Sequence, residues 1–142
     1  MFSRILYPTD FSAVAMGAIT YITQLKDAGA REVIVIHVVE GGILAASAEI
    51  FEAEAEAPLA AIVARLRDAG LDARYELRVG NIAHEILQVA RDEDVSLIVI
   101  GSRGKGAVRE VLLGSVSEAV VRRAPMPVLV VKPRDGVGEG AR

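Results

Sequence analysis

The sequence predicts an α/β protein: one open parallel sheet of five strands, with helices laid against it. Three observations lead there. Short apolar runs of strand composition recur along the 142 residues. Between them stand stretches whose apolar residues keep helical spacing. Glycine or proline marks most of the joints. Strands that alternate with helices pair in parallel through right-handed crossovers, and a continuous apolar strand is one covered on both faces.

The elements follow in order. Phe2 to Tyr7 is apolar and ends at Pro8, giving the first strand. Pro8-Thr9-Asp10 is the turn at its C-terminal end, where open α/β sheets hold their ligands; Asp10 or Ser12 also suits a helix N-cap. Ala15, Ala18, Ile19, Ile22 and Leu25 make a helical stripe that Gly29 ends. Val33 to Val39 is the second strand, apolar except for His37, and is expected to be central. His37 and His84 are read as packed or surface groups without chemistry. Residues 41–57 carry Glu49, Glu52, Glu54 and Glu56 between alanines, which fits a solvated helical face or a flap near a ligand. Pro58 then starts or restarts a helix, whose stripe is Leu59, Ile62, Val63 and Leu66 and whose end is Gly70. From Ala73 to Val79 apolar residues alternate with Arg74, Glu76 and Arg78, the pattern of a strand at a sheet edge. Gly80-Asn81 turns into a helix carrying Ile82, Ile86, Leu87 and Ala90.

The stretch from Val95 to Lys132 carries the candidate chemistry. Leu97 to Ile100 is an unbroken apolar strand, followed by Gly101, Gly104 and Gly106 with Arg103 and Lys105 among them. Gly114-Ser115-Val116-Ser117 opens a helix, and Ser115 with Glu118 fits a capping box. Arg122 and Arg123 suit its last turn; Pro125 and Pro127 stop it before the last strand, Val128 to Val131. A glycine loop and a helix start that aim backbone N–H groups at one spot suit a phosphate. Two other phosphate motifs are absent. Gly104-Lys105 lacks the flanking residues of a P-loop, and no GxGxxG follows the first strand.

Gly101-x2-Gly104-x9-Gly114-Ser115 resembles the ATP-binding signature of the universal stress protein family. Ile5 to Ser12 (ILYPTDFS) is similar to that family's first strand and turn, and Pro127 to Lys132 (PVLVVK) to its last strand. The resemblance covers residues 1–133, and Ile82 stands where family members often carry proline. It implies strand order 3-2-1-4-5, with helices on both faces, in a fold of the Rossmann-like, adenine nucleotide alpha hydrolase-like kind. Strands one and four are then neighbours at the reversal of order, so both ligand-bearing turns meet in one crevice. The resemblance further implies ATP as cofactor, with Mg²⁺ or Mn²⁺ on the phosphates. Val38 would read adenine through its backbone, and Pro8, Thr9 and Asp10 would line the adenosine pocket. Gly101, Arg103 and Gly104 would hold ribose and phosphates, and Gly114, Ser115, Val116 and Ser117 would wrap the triphosphate. Arg103 stands where the family often has histidine; a guanidinium also suits phosphate.

Composition narrows the rest. More than half the residues are hydrophobic and a quarter charged, as in a globular chain. A formal net charge of −3 leaves no basic footprint for nucleic acid. Zero cysteines exclude disulfides and thiol chemistry. No leader or 18-residue apolar run is visible, so no membrane is expected and the cytoplasm is the expected location. The length fits one domain over residues 1–133, with 134–142 as a frayed tail. The apolar last strand, exposed at an edge, is an aggregation hazard that a second copy would cover; a homodimer through Val128, Leu129, Val130 and Val131 is expected. With phosphate donors but no convincing base, no catalytic residue is assigned. A nucleotide-dependent stress or regulatory switch is favoured over an ATPase, leaving slow turnover open. The alternative is a nucleotide-independent dimeric interaction module of the same fold. A phosphoacceptor receiver is disfavoured because Leu77-Arg78-Val79-Gly80 offers no carboxylate. An ATP pyrophosphatase is disfavoured because Pro8-Thr9-Asp10 replaces the glycine-serine loop such enzymes need.

Overall fold

The structure, a computed structural model, describes residues 1–42, 45–103 and 113–133. The expectations for Gly104 and for the tail 134–142 lie outside them.

Five parallel strands form one sheet: β1 (Arg4–Pro8), β2 (Glu32–Glu40), β3 (Asp72–Gly80), β4 (Leu97–Gly101) and β5 (Val128–Val131), in the order β3-β2-β1-β4-β5. The helices are α1 (Ala13–Leu25), α2 (Ala45–Asp68), α3 (Ile82–Asp92) and α4 (Ser115–Arg123), and a short 3₁₀ turn, Lys26–Ala28, follows α1. This is the expected doubly wound sheet. None of the described helices is long and apolar enough to cross a membrane.

Period-two alternation in the buried strands sorts side chains into two cores. On one face, Ile5 and Tyr7 of β1 and Val33 and Val35 of β2 pack with Ile19 and Ile22 of α1 and Leu59, Ile62 and Leu66 of α2. On the other, Leu6, Ile34 and Ile36 pack with Ile86 and Val89 of α3 and Val120 of α4. Both faces of β1, β2 and β4 are therefore dry, which is why these strands read as continuous apolar runs.

Two local expectations are corrected. Pro58 does not start a helix; it sits inside α2, which runs unbroken from Ala45 to Asp68. Proline removes one intrahelical bond, here the one to the Glu54 carbonyl. Glu54 lies on the exposed side, where water can take that carbonyl. The second correction concerns β3. It lies at the edge as expected, but its polar side is not simply wet. Arg74 pairs with Glu76 and Glu93, and Arg78 with Glu76 and Glu85, at 2.9–3.2 Å. The alternating charges fasten the edge strand to α3. On its apolar side Ala73 is buried, whereas Tyr75 and Val79 are 36% and 43% exposed.

Candidate functional site

At the carboxyl end of the sheet, β1 and β4 are adjacent but their chains leave toward opposite faces. Pro8, the last residue of β1, is buried and pairs with Ile36 of β2. Thr9 adds one more rung, its N–H donating to Ile36 O at 2.9 Å. Three short bonds then shape the turn. Phe11 N–H donates to Thr9 Oγ1, Ser12 N–H to Asp10 Oδ1, and Ala15 N–H to Ser12 Oγ. Ser12 is thus the N-cap of α1, and Asp10 closes an Asx turn. Phe11 holds a left-handed conformation, φ 65°, which costs an L-residue roughly 1–2 kcal/mol.

The backbone of β2 has a definite parity. Ile36 faces β1, through Thr9, and Gly41 faces β3, donating to Gly80 O at 2.8 Å. In a parallel strand the N–H and C=O of one residue point to the same side and alternate from residue to residue. Val38 therefore turns both groups toward β1, one rung beyond the last β1 bond. No backbone bond joins Val38 to β1 or its turn among the described residues. A paired donor and acceptor are left at the crevice.

The other wall is built from β4 and α4. Gly101 ends β4, and a Cβ there would come within 3.1 Å of Val14 Cγ1 and 3.3 Å of Ala15 N. The glycine lets the first turn of α1 lie directly on the strand end. Ser102 is buried; its carbonyl accepts from Gly114 N–H at 2.8 Å, which pins the start of α4 to the end of β4. Ser117, also buried, donates its hydroxyl to Gly101 O at 2.6 Å. Arg103 follows, half-buried.

The expected cap is corrected here. Gly114, not Ser115, is the N-cap of α4, and no side chain caps it. Glu118 does not reach back; it pairs with Arg122 one turn on, at 2.9 Å. Ser115 is the first helical residue and is exposed. The first-turn N–H groups of α4 are among the orphan donors that any helix start carries, and here no side chain serves them.

Beside the α4 start lies a cavity of about 480 Å³, within the usual size range of ligand pockets. Ser115, Val116, Ala119 and Arg123 line one side; Glu40, Gly41, Gly80, Asn81, Ile82 and Ala83 line the other. Of the expected site residues only Ser115 and Val116 reach it. Pro8, Thr9, Asp10, Gly101 and Arg103 belong to the neighbouring turns. Glu40, Gly41, Asn81 and Arg123 were not anticipated. Gly41 offered the one signal: its Cβ would stand 3.1 Å from Gly80 Cα, so the glycine pair lets the ends of β2 and β3 close up. In sequence Arg123 signals only a cation suited to the last turn of a helix.

The arrangement defines a class: an open α/β sheet whose crevice, at the switch in strand order, offers backbone donors from a strand end and from a helix start. The universal stress protein family profile matches residues 1–132, and the chain belongs to that family. It is 36% identical to universal stress protein MJ0577 of Methanocaldococcus jannaschii, over 95% of this chain and 98% of the relative. The solved structure of MJ0577 superposes with a TM-score of 0.84, covering 95% of this chain and 99% of that one. The universal stress protein of Archaeoglobus fulgidus in complex with dAMP is 25% identical with a TM-score of 0.69, over 93% and 98% of the two chains.

Proposed function

We propose that this protein binds ATP in the crevice at the carboxyl ends of β1, β2 and β4, and that it acts as a nucleotide-dependent switch in a cytoplasmic stress response. The observation that carries the reading is the unspent N–H and C=O of Val38, on the same side of the sheet as an α4 start that no side chain caps. Adenine presents an amino donor beside a ring-nitrogen acceptor, and Val38 supplies the complementary pair. Pro8, Thr9 and Asp10 would line the adenosine, and Gly101 and Arg103 the ribose and phosphates. Ser115, Val116 and Ser117 would meet the triphosphate through backbone N–H groups, where a helix start favours anions; Gly114, whose N–H is spent on Ser102 O, would let the backbone come close without a side chain. Ser117's hydroxyl is already committed to Gly101 O, so its part is played by its N–H. The dAMP complex of the Archaeoglobus fulgidus relative supports an adenine nucleotide.

Among the described residues no group of three His, Asp or Glu side chains could hold a metal ion. A Mg²⁺ or Mn²⁺ travelling with ATP would take its ligands from phosphate and water.

Freshly purified protein, denatured and cleared, should release ATP or ADP on chromatography, and nucleotide-free protein should bind ATP in calorimetry. A folded protein that does neither would leave the nucleotide-independent interaction module as the better account.

A further inference from the structure

His37 was assigned no chemistry from the sequence, yet it occupies a decisive place in the β1–β2 ladder. Were that ladder to continue past Thr9 N–H→Ile36 O, its next rung would run from Val38 N–H to Thr9 O. The structure puts another donor there: Nδ1 of His37 lies 2.8 Å from Thr9 O. A carbonyl can only accept, so Nδ1 carries the proton. The same ring stacks on Phe11, with centroids 4.6 Å apart and planes 31° from parallel. Phe11 is the residue held at φ 65°. One side chain therefore caps the last carbonyl of the turn and supports its strained residue, from a strand 28 residues away in sequence.

We propose that His37 is a positioning residue for base recognition. By taking the Thr9 carbonyl it stops the β1–β2 ladder one rung early and keeps Val38 N–H and C=O open for the edge of an adenine. The proposal rests on the reading that the base sits against Val38. Without the imidazole, Thr9 O would lack that donor, and the parallel register supplies Val38 N–H in its place. A closed rung would remove the donor that meets the ring nitrogen of adenine. Selectivity is affected as well as affinity. Hypoxanthine presents a ring N–H and a carbonyl oxygen at the same positions, so the open pair accepts adenine and rejects it.

The test compares His37→Leu with His37→Asn, whose side-chain amide nitrogen can stand in for Nδ1. In nucleotide-free protein, hydrogen exchange should find the Val38 amide unprotected in the wild type and in H37N, and protected in H37L. By calorimetry H37L should bind ATP about tenfold more weakly, with affinity for inosine triphosphate nearly unchanged and the ratio of the two falling toward one. H37N should keep the wild-type ratio. If H37L does not fold, His37→Gln, which carries its amide one methylene too far, takes its place. An unprotected Val38 amide and an unchanged ratio in the folded Leu or Gln variant would overturn the proposal, leaving His37 a packing residue. If the wild type binds no ATP, base recognition at this site is wrong; the exchange measurement, which needs no nucleotide, still decides whether His37 holds the rung open.

Discussion

Tyr7 shows how one side chain couples the core to the site. It is fully buried in the α1/α2 core, and its hydroxyl donates to Ala15 O at 2.5 Å, across the turn that carries Thr9 and Asp10. Burial pushes its pKa up from 10.0 to about 12. The unfolded chain loses that proton first, near the ordinary value, while the folded chain keeps it. The stabilisation is complete below pH 10 and is lost as pH rises from about 10 to 12. Tyr7→Phe should flatten this alkaline fall in a series of urea unfolding curves. At neutral pH it should cost about 1 kcal/mol for the lost hydrogen bond. Other single residues were less legible in sequence. Ser115 reads as a cap because its type and spacing to Glu118 fit, but the backbone places the cap one residue earlier, on Gly114. His37 reads in sequence only as a packed or surface group, because its partner is a carbonyl 28 residues away.

Among the elements, β1, β2 and β4 were readable because burial on both faces leaves continuous apolar runs. The edge position of β3 was readable from alternation. The ion pairs that bind it to α3 were not, since sequence does not say which carboxylate a strand arginine meets. The first half of α2 was the least legible because its inward residues, Ala48 and Ala55, are small and make no stripe among the glutamates. Pro58 then suggested a boundary that the folded chain does not respect. Since a proline inside a helix forfeits a bond that alanine would make, Pro58→Ala should stabilise the protein, by roughly 1–2 kcal/mol after the entropy returned to the unfolded chain. Thermal unfolding should show a raised Tm with unchanged helix content. A lowered Tm would mean that the packing of α2 depends on the proline.

For the whole molecule, strand order follows from the family resemblance and is matched by the structure, so the ends of β1 and β4, which lead into the two turns, lie side by side at the switch point. The part proposed for Val38 was visible only as a resemblance. Its physical basis, the parity of β2, needs the register. The same order leaves β5 at an edge with Leu129 37% exposed and Val128 and Val130 half-buried. Homodimerisation through Val128, Leu129, Val130 and Val131 remains our proposal for covering it. On that account Leu129→Lys should shift sedimentation from dimer toward monomer while the fold is kept. A variant that stays fully dimeric would place the dimer surface elsewhere.

The central claim is that one crevice holds the nucleotide through the backbone of Val38 and the start of α4. The most direct measurement is a titration of ¹⁵N-labelled, nucleotide-free protein with ATP, followed residue by residue. The account predicts saturable shifts at Thr9, Val38, Ser115, Val116 and Ser117, with the amide of Tyr75, on the β3 edge, unmoved. An absence of shifts, or shifts confined to residues away from these two strand ends and the α4 start, would contradict it.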